Sequence, residues 1–160
     1  MSMNGFVKAY NPPAPRTKES GYAAILYAAL LTGMVAAQLF TFEEFLVLFQ
    51  GMFARIGEPF GMLLATGIVI AEVFALPFLL RIPLSTAFRW VSLTLSVFVS
   101  VAWLGVSLWG VVIKPSVESA GLIGTLDPLG PGLWAVSLSI ALCMLAAWSL
   151  WGLWPLHTKK

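Results

Sequence analysis

The chain has 160 residues, 59% of them hydrophobic and only 10% charged, with a formal net charge of +2. Water-soluble domains carry roughly a quarter charged residues, so this composition excludes an ordinary soluble fold and makes the lipid bilayer the expected surroundings. The small charge gives no footprint for nucleic acid, and the single cysteine, Cys143, excludes an intramolecular disulfide or a CxxC redox pair.

In chain order, residues 1–19 contain the polar, proline-rich run "NPPAPRTKES" and read as a flexible cytoplasmic lead-in. A membrane-spanning helix needs about 20 mostly apolar residues. Four windows meet that length, at about 21–40, 60–80, 86–113 and 131–154. Val35-Ala36-Ala37 has the small-residue spacing of a signal-peptidase site, but the segment is read as a retained span. Pro59 and Pro131 stand where a first helical turn accepts proline, and Pro83, Pro115 and Pro155 stand just beyond helix ends.

Between the first two spans, "TFEEFLVLFQGMFARI" places Phe42, Phe45, Leu46, Phe49, Met52, Phe53 and Ile56 on one helical face. Thr41 and Glu44 have the spacing of a capping box. The run predicts an interfacial amphipathic helix over 41–56, a connector on the bundle rim or a lid over a cavity. The third connection, "KPSVESAGLIGTLDPLGP", is read as a loop, with folding back onto the bundle as the alternative. The predicted fold is all-α: one integral membrane four-helix bundle over residues 20–156, followed by a short cytoplasmic tail at 157–160.

Lysines and arginines set the orientation. Lys8, Arg16, Lys18, Arg81, Arg89, Lys159 and Lys160 fall on one side of a four-span arrangement, whereas the other side has only Arg55 and Lys114 against Glu43, Glu44, Glu58, Glu118 and Asp127. The positive-inside bias then puts both termini in the cytoplasm of a bacterial-type inner membrane.

Helices in lipid associate through close packing and hydrogen bonds, because the tails are as apolar as the side chains. Each span offers a small-residue stripe: Ala29, Gly33 and Ala37; Gly67, Ala71 and Ala75; Ser92, Ser96, Ser100 and Ser107; Ala135, Ser139, Cys143 and Ala147. Cys143 reads as a packing residue in its stripe. His157 has no neighbour at ligand spacing, so no metal site is expected, and no catalytic group is singled out. Trp90, Trp109, Trp134, Trp151 and Trp154 lie near span ends, as interface anchors do. Trp103 and Trp148 lie deeper, as packing or pocket residues.

Glu72 is the exception in the run "GIVIAEVFALPFLL". An intramembrane acid costs about 2.5–3.5 kcal/mol on insertion scales, so it faces the bundle and finds a partner. The expected partners are the hydroxyls of Ser92, Ser96 and Ser100, or Arg89 reaching from the span end. Pro77 leaves the carbonyl of Val73 without its usual donor, adding a free acceptor nearby. Gln38, near the far end of span one, is a second polar candidate. With Trp103 these residues form the candidate ligand pocket: Glu72, Gln38, Arg89, Ser92, Ser96, Ser100 and Trp103.

The segments "VAAQLFTFEEF" and "GIVIAEVFALPFLLRIPLSTAFRW" resemble the DoxX/MauE-like superfamily of small four-helix membrane proteins, over roughly residues 21–110. The shared features are a first span ending in a polar residue, Leu and an aromatic segment, then a second span with a central Glu and a basic turn. The resemblance implies association with membrane redox processes, through a membrane or periplasmic redox partner, and the same four-span architecture. Gln38 stands where the family often has lysine, and one cysteine cannot carry out thiol exchange alone. The expected function is therefore non-catalytic and accessory: docking a partner, or holding a hydrophobic ligand such as a quinone or lipid near Glu72. A proton-linked permease and a ligand-free assembly protein are the alternatives, and a homo-oligomer is compatible with each.

Overall fold

The computed structural model describes residues 11–12, 14–113, 117–126 and 130–154. They form five helices and no strand: α1 (Lys18–Phe40), α2 (Phe42–Met52), α3 (Glu58–Leu79), α4 (Thr86–Ile113) and α5 (Leu133–Gly152). α1, α3, α4 and α5 are long and apolar enough to cross a membrane. They pack as a ring in which α1 touches α3 and α5, and α4 touches the same two helices. The fold is thus an all-α membrane four-helix bundle with a short amphipathic helix between its first two spans. The calls at residues 1–10, Lys114, Pro115, Asp127, Pro155, His157, Lys159 and Lys160 lie outside the described residues.

Both described ends of the chain lie at one end of the bundle, where the Arg16 amide donates to the carbonyl of Gly152 at 3.0 Å. α1 begins there with a reciprocal cap. Thr17 Oγ1 accepts from the Ser20 amide at 3.2 Å, and Ser20 Oγ accepts from the Thr17 amide at 3.4 Å. The expected box at Thr41 and Glu44 does not form. Thr41 Oγ1 donates to the Ala37 carbonyl at 3.1 Å and accepts from the Thr125 amide at 3.2 Å, while Glu44 accepts from the Thr125 hydroxyl at 2.7 Å. A long-range tie to the third connection has taken the groups that a local cap would use.

α2 presents Phe45, Phe49 and Met52 inward, all buried, while Glu43 and Glu44 are exposed. Phe49 packs edge-on to Trp103, and Phe53 stacks on Trp109. The helix ends at Met52 rather than Ile56, because the chain turns through residues 53–56 into Gly57, whose φ of 132° favours glycine. Ile56 is consequently exposed. α2 also lies directly on α3: a Cβ at Gly61 would stand 2.5 Å from the Phe49 carbonyl oxygen.

The serine stripe of α4 is buried throughout, at Ser92, Ser96, Ser100 and Ser107. The other stripes are corrected in part. Ala29, Gly33, Gly67 and Ala147 are exposed, and α1 instead packs through Ala24, Ala28, Leu31 and Val35. Pro131 precedes the first turn of α5, whose N-cap is Gly132.

Ser92 resolves the interruption at Pro77. Its hydroxyl accepts from the Phe78 amide at 3.0 Å and donates to the carbonyls of Phe74 and Ala75 at 2.6 and 3.2 Å. The side chain of α4 therefore completes a hydrogen-bond ladder that the proline opens in α3. Ser92→Ala is expected to destabilise the bundle by about 1–3 kcal/mol, read as a lower unfolding midpoint in detergent. Adding Pro77→Ala should recover part of that loss, because α3 then regains its own donor.

Candidate functional site

Glu72 and Gln38 reach each other because their helices run in opposite directions. A helical side chain leans toward the N-terminus of its helix. Glu72 on α3 therefore leans toward the α2 end, and Gln38 on α1 leans back toward the termini end. Both are fully buried. Trp103 Nε1 donates to Glu72 Oε1 at 2.7 Å, and Gln38 Nε2 donates to the same oxygen at 3.5 Å. Trp103 is the largest fully buried side chain of the core.

The third connection closes this node from the α2 end. Leu122 is fully buried, and its carbonyl accepts from Gln38 Nε2 at 3.3 Å. The loop around it is tightly organised: Ser119 Oγ donates to the Gly124 carbonyl and accepts from the Gly121 amide, each at 3.0 Å. Residues 119–126 thus form a plug rather than an open loop. α1 and α4 meet α3 at one carboxylate, and the plug reaches it through Gln38.

Two atoms of the node are left over. Glu72 Oε2 and Gln38 Oε1 are buried and accept no hydrogen bond among the described residues. A buried acceptor without a donor costs about 1–3 kcal/mol, and here two such acceptors belong to side chains that already touch each other. What they lack is a donor: a hydroxyl, an amine, a water molecule or a proton.

The remaining candidates lie elsewhere. Among the described residues, Glu72 draws its hydrogen bonds from Trp103 and Gln38 rather than from Ser96 and Ser100. They receive Tyr27 of α1, whose hydroxyl donates to the Ser96 carbonyl at 2.7 Å and pairs with Ser100 Oγ at 2.5 Å. Ser92 serves the proline kink. Arg89 stands 14 residues before Trp103 on α4, about 21 Å along the axis, and lines a small cavity with Arg81, Phe78 and Leu153 at the termini end. The partners expected for Glu72, the three hydroxyls or Arg89, are thus replaced by Trp103 and Gln38. Trp148 points outward and is half exposed. Cys143 donates to the Ser100 carbonyl at 3.4 Å, a packing contact in keeping with its stripe. Ser139 donates to the carbonyls of Trp103 and Ala135 and pairs with Ser107 at 2.8 Å, which braces the backbone behind the indole.

Tyr27 and Leu122 were not singled out from sequence. Tyr27 carries a weak signal, a phenol in mid-span that needs a partner; Leu122 carries none, being one apolar residue in a loop. No protein-family model matches the chain, and neither a curated protein nor a solved structure does.

Proposed function

We propose that the protein is a non-catalytic, redox-associated accessory protein of a bacterial-type inner membrane. It holds a hydrophobic molecule with a hydrogen-donating head at the Glu72–Gln38 pair. The observation that carries this reading is the pair of unsatisfied acceptors, Glu72 Oε2 and Gln38 Oε1, in two fully buried side chains. A quinol-type ring supplies the missing hydroxyl donor, and its apolar body suits the Trp103 indole beside Glu72, which Phe49 backs edge-on. The redox association rests on the resemblance of the first two spans to the DoxX/MauE-like superfamily. Cytoplasmic termini are supported by the basic excess of Arg16, Lys18, Arg81 and Arg89 at one end, against Arg55 with Glu43, Glu44 and Glu118 at the other.

The test is to extract wild-type protein and the Glu72→Gln variant from membranes and measure co-purified apolar molecules by mass spectrometry. The amide still accepts from Trp103 but replaces an acceptor oxygen with a donor. Wild type is expected to retain a quinone-class or related molecule, and the variant to lose most of it with its folding intact. Equal content in both proteins would remove the acid from ligand binding and defeat the reading.

One observation favours a second reading, proton-linked transport: the hydroxyls of Tyr27, Ser92, Ser96 and Ser100 are buried inside the bundle. Proton uptake into liposomes that stops in Glu72→Gln would support it.

A further inference from the structure

Donors and acceptors at the Glu72–Gln38 pair do not balance. The Trp103 indole has a single N–H, which it gives to Glu72 Oε1 at 2.7 Å. The Gln38 amide nitrogen is directed at Glu72 Oε1 at 3.5 Å and at the Leu122 carbonyl at 3.3 Å. The hydroxyls of Tyr27 and Ser100 both donate to the Ser96 carbonyl, at 2.7 and 3.2 Å. The side-chain N–H groups of the node are therefore committed, while Glu72 Oε2 and Gln38 Oε1 are left over, and both are acceptors. Both side chains are fully buried, so bulk water does not reach them.

The two redox forms of a quinone-class ring answer this imbalance differently. The oxidised ring carries two carbonyl oxygens, which only accept. The reduced ring carries two hydroxyls, which donate and accept. Against an ionised Glu72, a quinol hydroxyl donates to a free oxygen, whereas a quinone carbonyl meets a carboxylate with no hydrogen between them. Against a neutral Glu72, the proton belongs on Oε2, because Oε1 already accepts from Trp103 and Gln38. A quinol oxygen then accepts from Oε2 and donates its own hydrogen to Gln38 Oε1, which closes the pair. A quinone accepts from Oε2 and leaves Gln38 Oε1 stranded. In both protonation states the reduced ring leaves fewer buried acceptors unpaired.

We infer that the Glu72–Gln38 pair selects the redox state of its ligand, binding the dihydroxy form of a quinone-class ring in preference to the dicarbonyl form. This selectivity rests on the ligand reading proposed above and gives it a direction. One buried acceptor left unpaired corresponds to about a 5- to 150-fold difference in affinity. Tighter binding of the reduced form raises the midpoint potential of the bound couple, in which a quinone takes up two electrons and two protons. The rise is about 30 mV for each tenfold of preference. A ring held here is therefore harder to oxidise, and it is loosened once oxidised.

The probes are tetramethyl-1,4-hydroquinone and the matching tetramethyl-1,4-benzoquinone, which share one carbon skeleton. Each is dialysed anaerobically to equilibrium against the full chain in detergent micelles, with empty micelles as the reference. Wild type is expected to bind the hydroquinone at least about fivefold more tightly. Glu72→Gln puts an N–H donor in place of the free carboxyl oxygen, so hydroquinone binding should fall and the preference should drop to parity or reverse. Equal binding of both forms by wild type, or tighter binding of the quinone, would overturn the selectivity and leave the ligand reading standing. An undiminished preference in Glu72→Gln would overturn it as well. Binding of neither form would assign the pair to water or a proton, and would overturn the ligand reading together with the selectivity.

Discussion

Trp103→Ala is expected to destabilise the bundle by about 3–5 kcal/mol, the cost of truncating a large buried aromatic residue. The indole fills the centre of the core, meets Phe49 at 6.1 Å between ring centroids, and gives Glu72 its shortest hydrogen bond. Its removal leaves a cavity and takes away the main donor to a buried carboxylate, two penalties at one position. Trp103→Phe separates them, because the ring volume is largely kept while the donor is lost. That variant should cost about 1–3 kcal/mol. Equilibrium unfolding in mixed micelles reads both values, and equal losses in the two variants would show that packing at this site contributes little.

Gly124→Ala has the second largest expected effect, and it acts on the plug. Gly124 has a φ of 60°, and a Cβ there would collide with Thr41 Oγ1 and stand 2.9 Å from the Ala37 carbonyl oxygen. The left-handed backbone costs a residue with a side chain about 1–2 kcal/mol, and overpacking against fixed atoms adds about 1–3 kcal/mol. The chain can avoid both by lifting residues 119–126 from α1. That movement breaks the tie from Thr125 to Thr41 and withdraws the Leu122 carbonyl from Gln38. Faster amide exchange over residues 119–126, with exchange in α4 unchanged, is the expected result. Unchanged exchange in the plug would show that it is not anchored at Gly124.

The four spans are legible in the sequence because membrane length and apolarity are local properties, and composition alone limits where each helix can lie. The period of three and four in α2 is local in the same way. Its C-terminal boundary was less legible: the apolar pattern runs to Ile56, whereas a turn into the left-handed Gly57 ends the helix at Met52. Thr41 and Glu44 show how a local motif is overridden, because Thr125, more than eighty positions away, competes for the same oxygens. The serine stripe was legible as a packing face, yet its chemistry was not: Ser92 repairs α3, and Ser96 and Ser100 receive Tyr27.

At the candidate site, Glu72, Gln38 and Trp103 could each be singled out as polar or outsized groups in an apolar run. That Gln38 and Trp103 are the partners of Glu72, rather than Arg89, depends on the opposed directions of α1 and α3 and on axial distance. Neither is visible until the helices are packed. The plug is a further step removed, because Leu122 contributes through its backbone carbonyl, which no side-chain pattern reveals. Gly33 and Gly67 mark the opposite failure: small residues at four-residue spacing suggest a packing stripe, but both face outward.

An experimental density map of the extracted protein at side-chain resolution is the most direct test of the Glu72 node. The account predicts non-protein density within hydrogen-bond distance of both Glu72 Oε2 and Gln38 Oε1, with the Trp103 indole on Glu72 Oε1. A map in which Glu72 faces the acyl chains, or in which the two side chains close on each other with nothing between them, would contradict it.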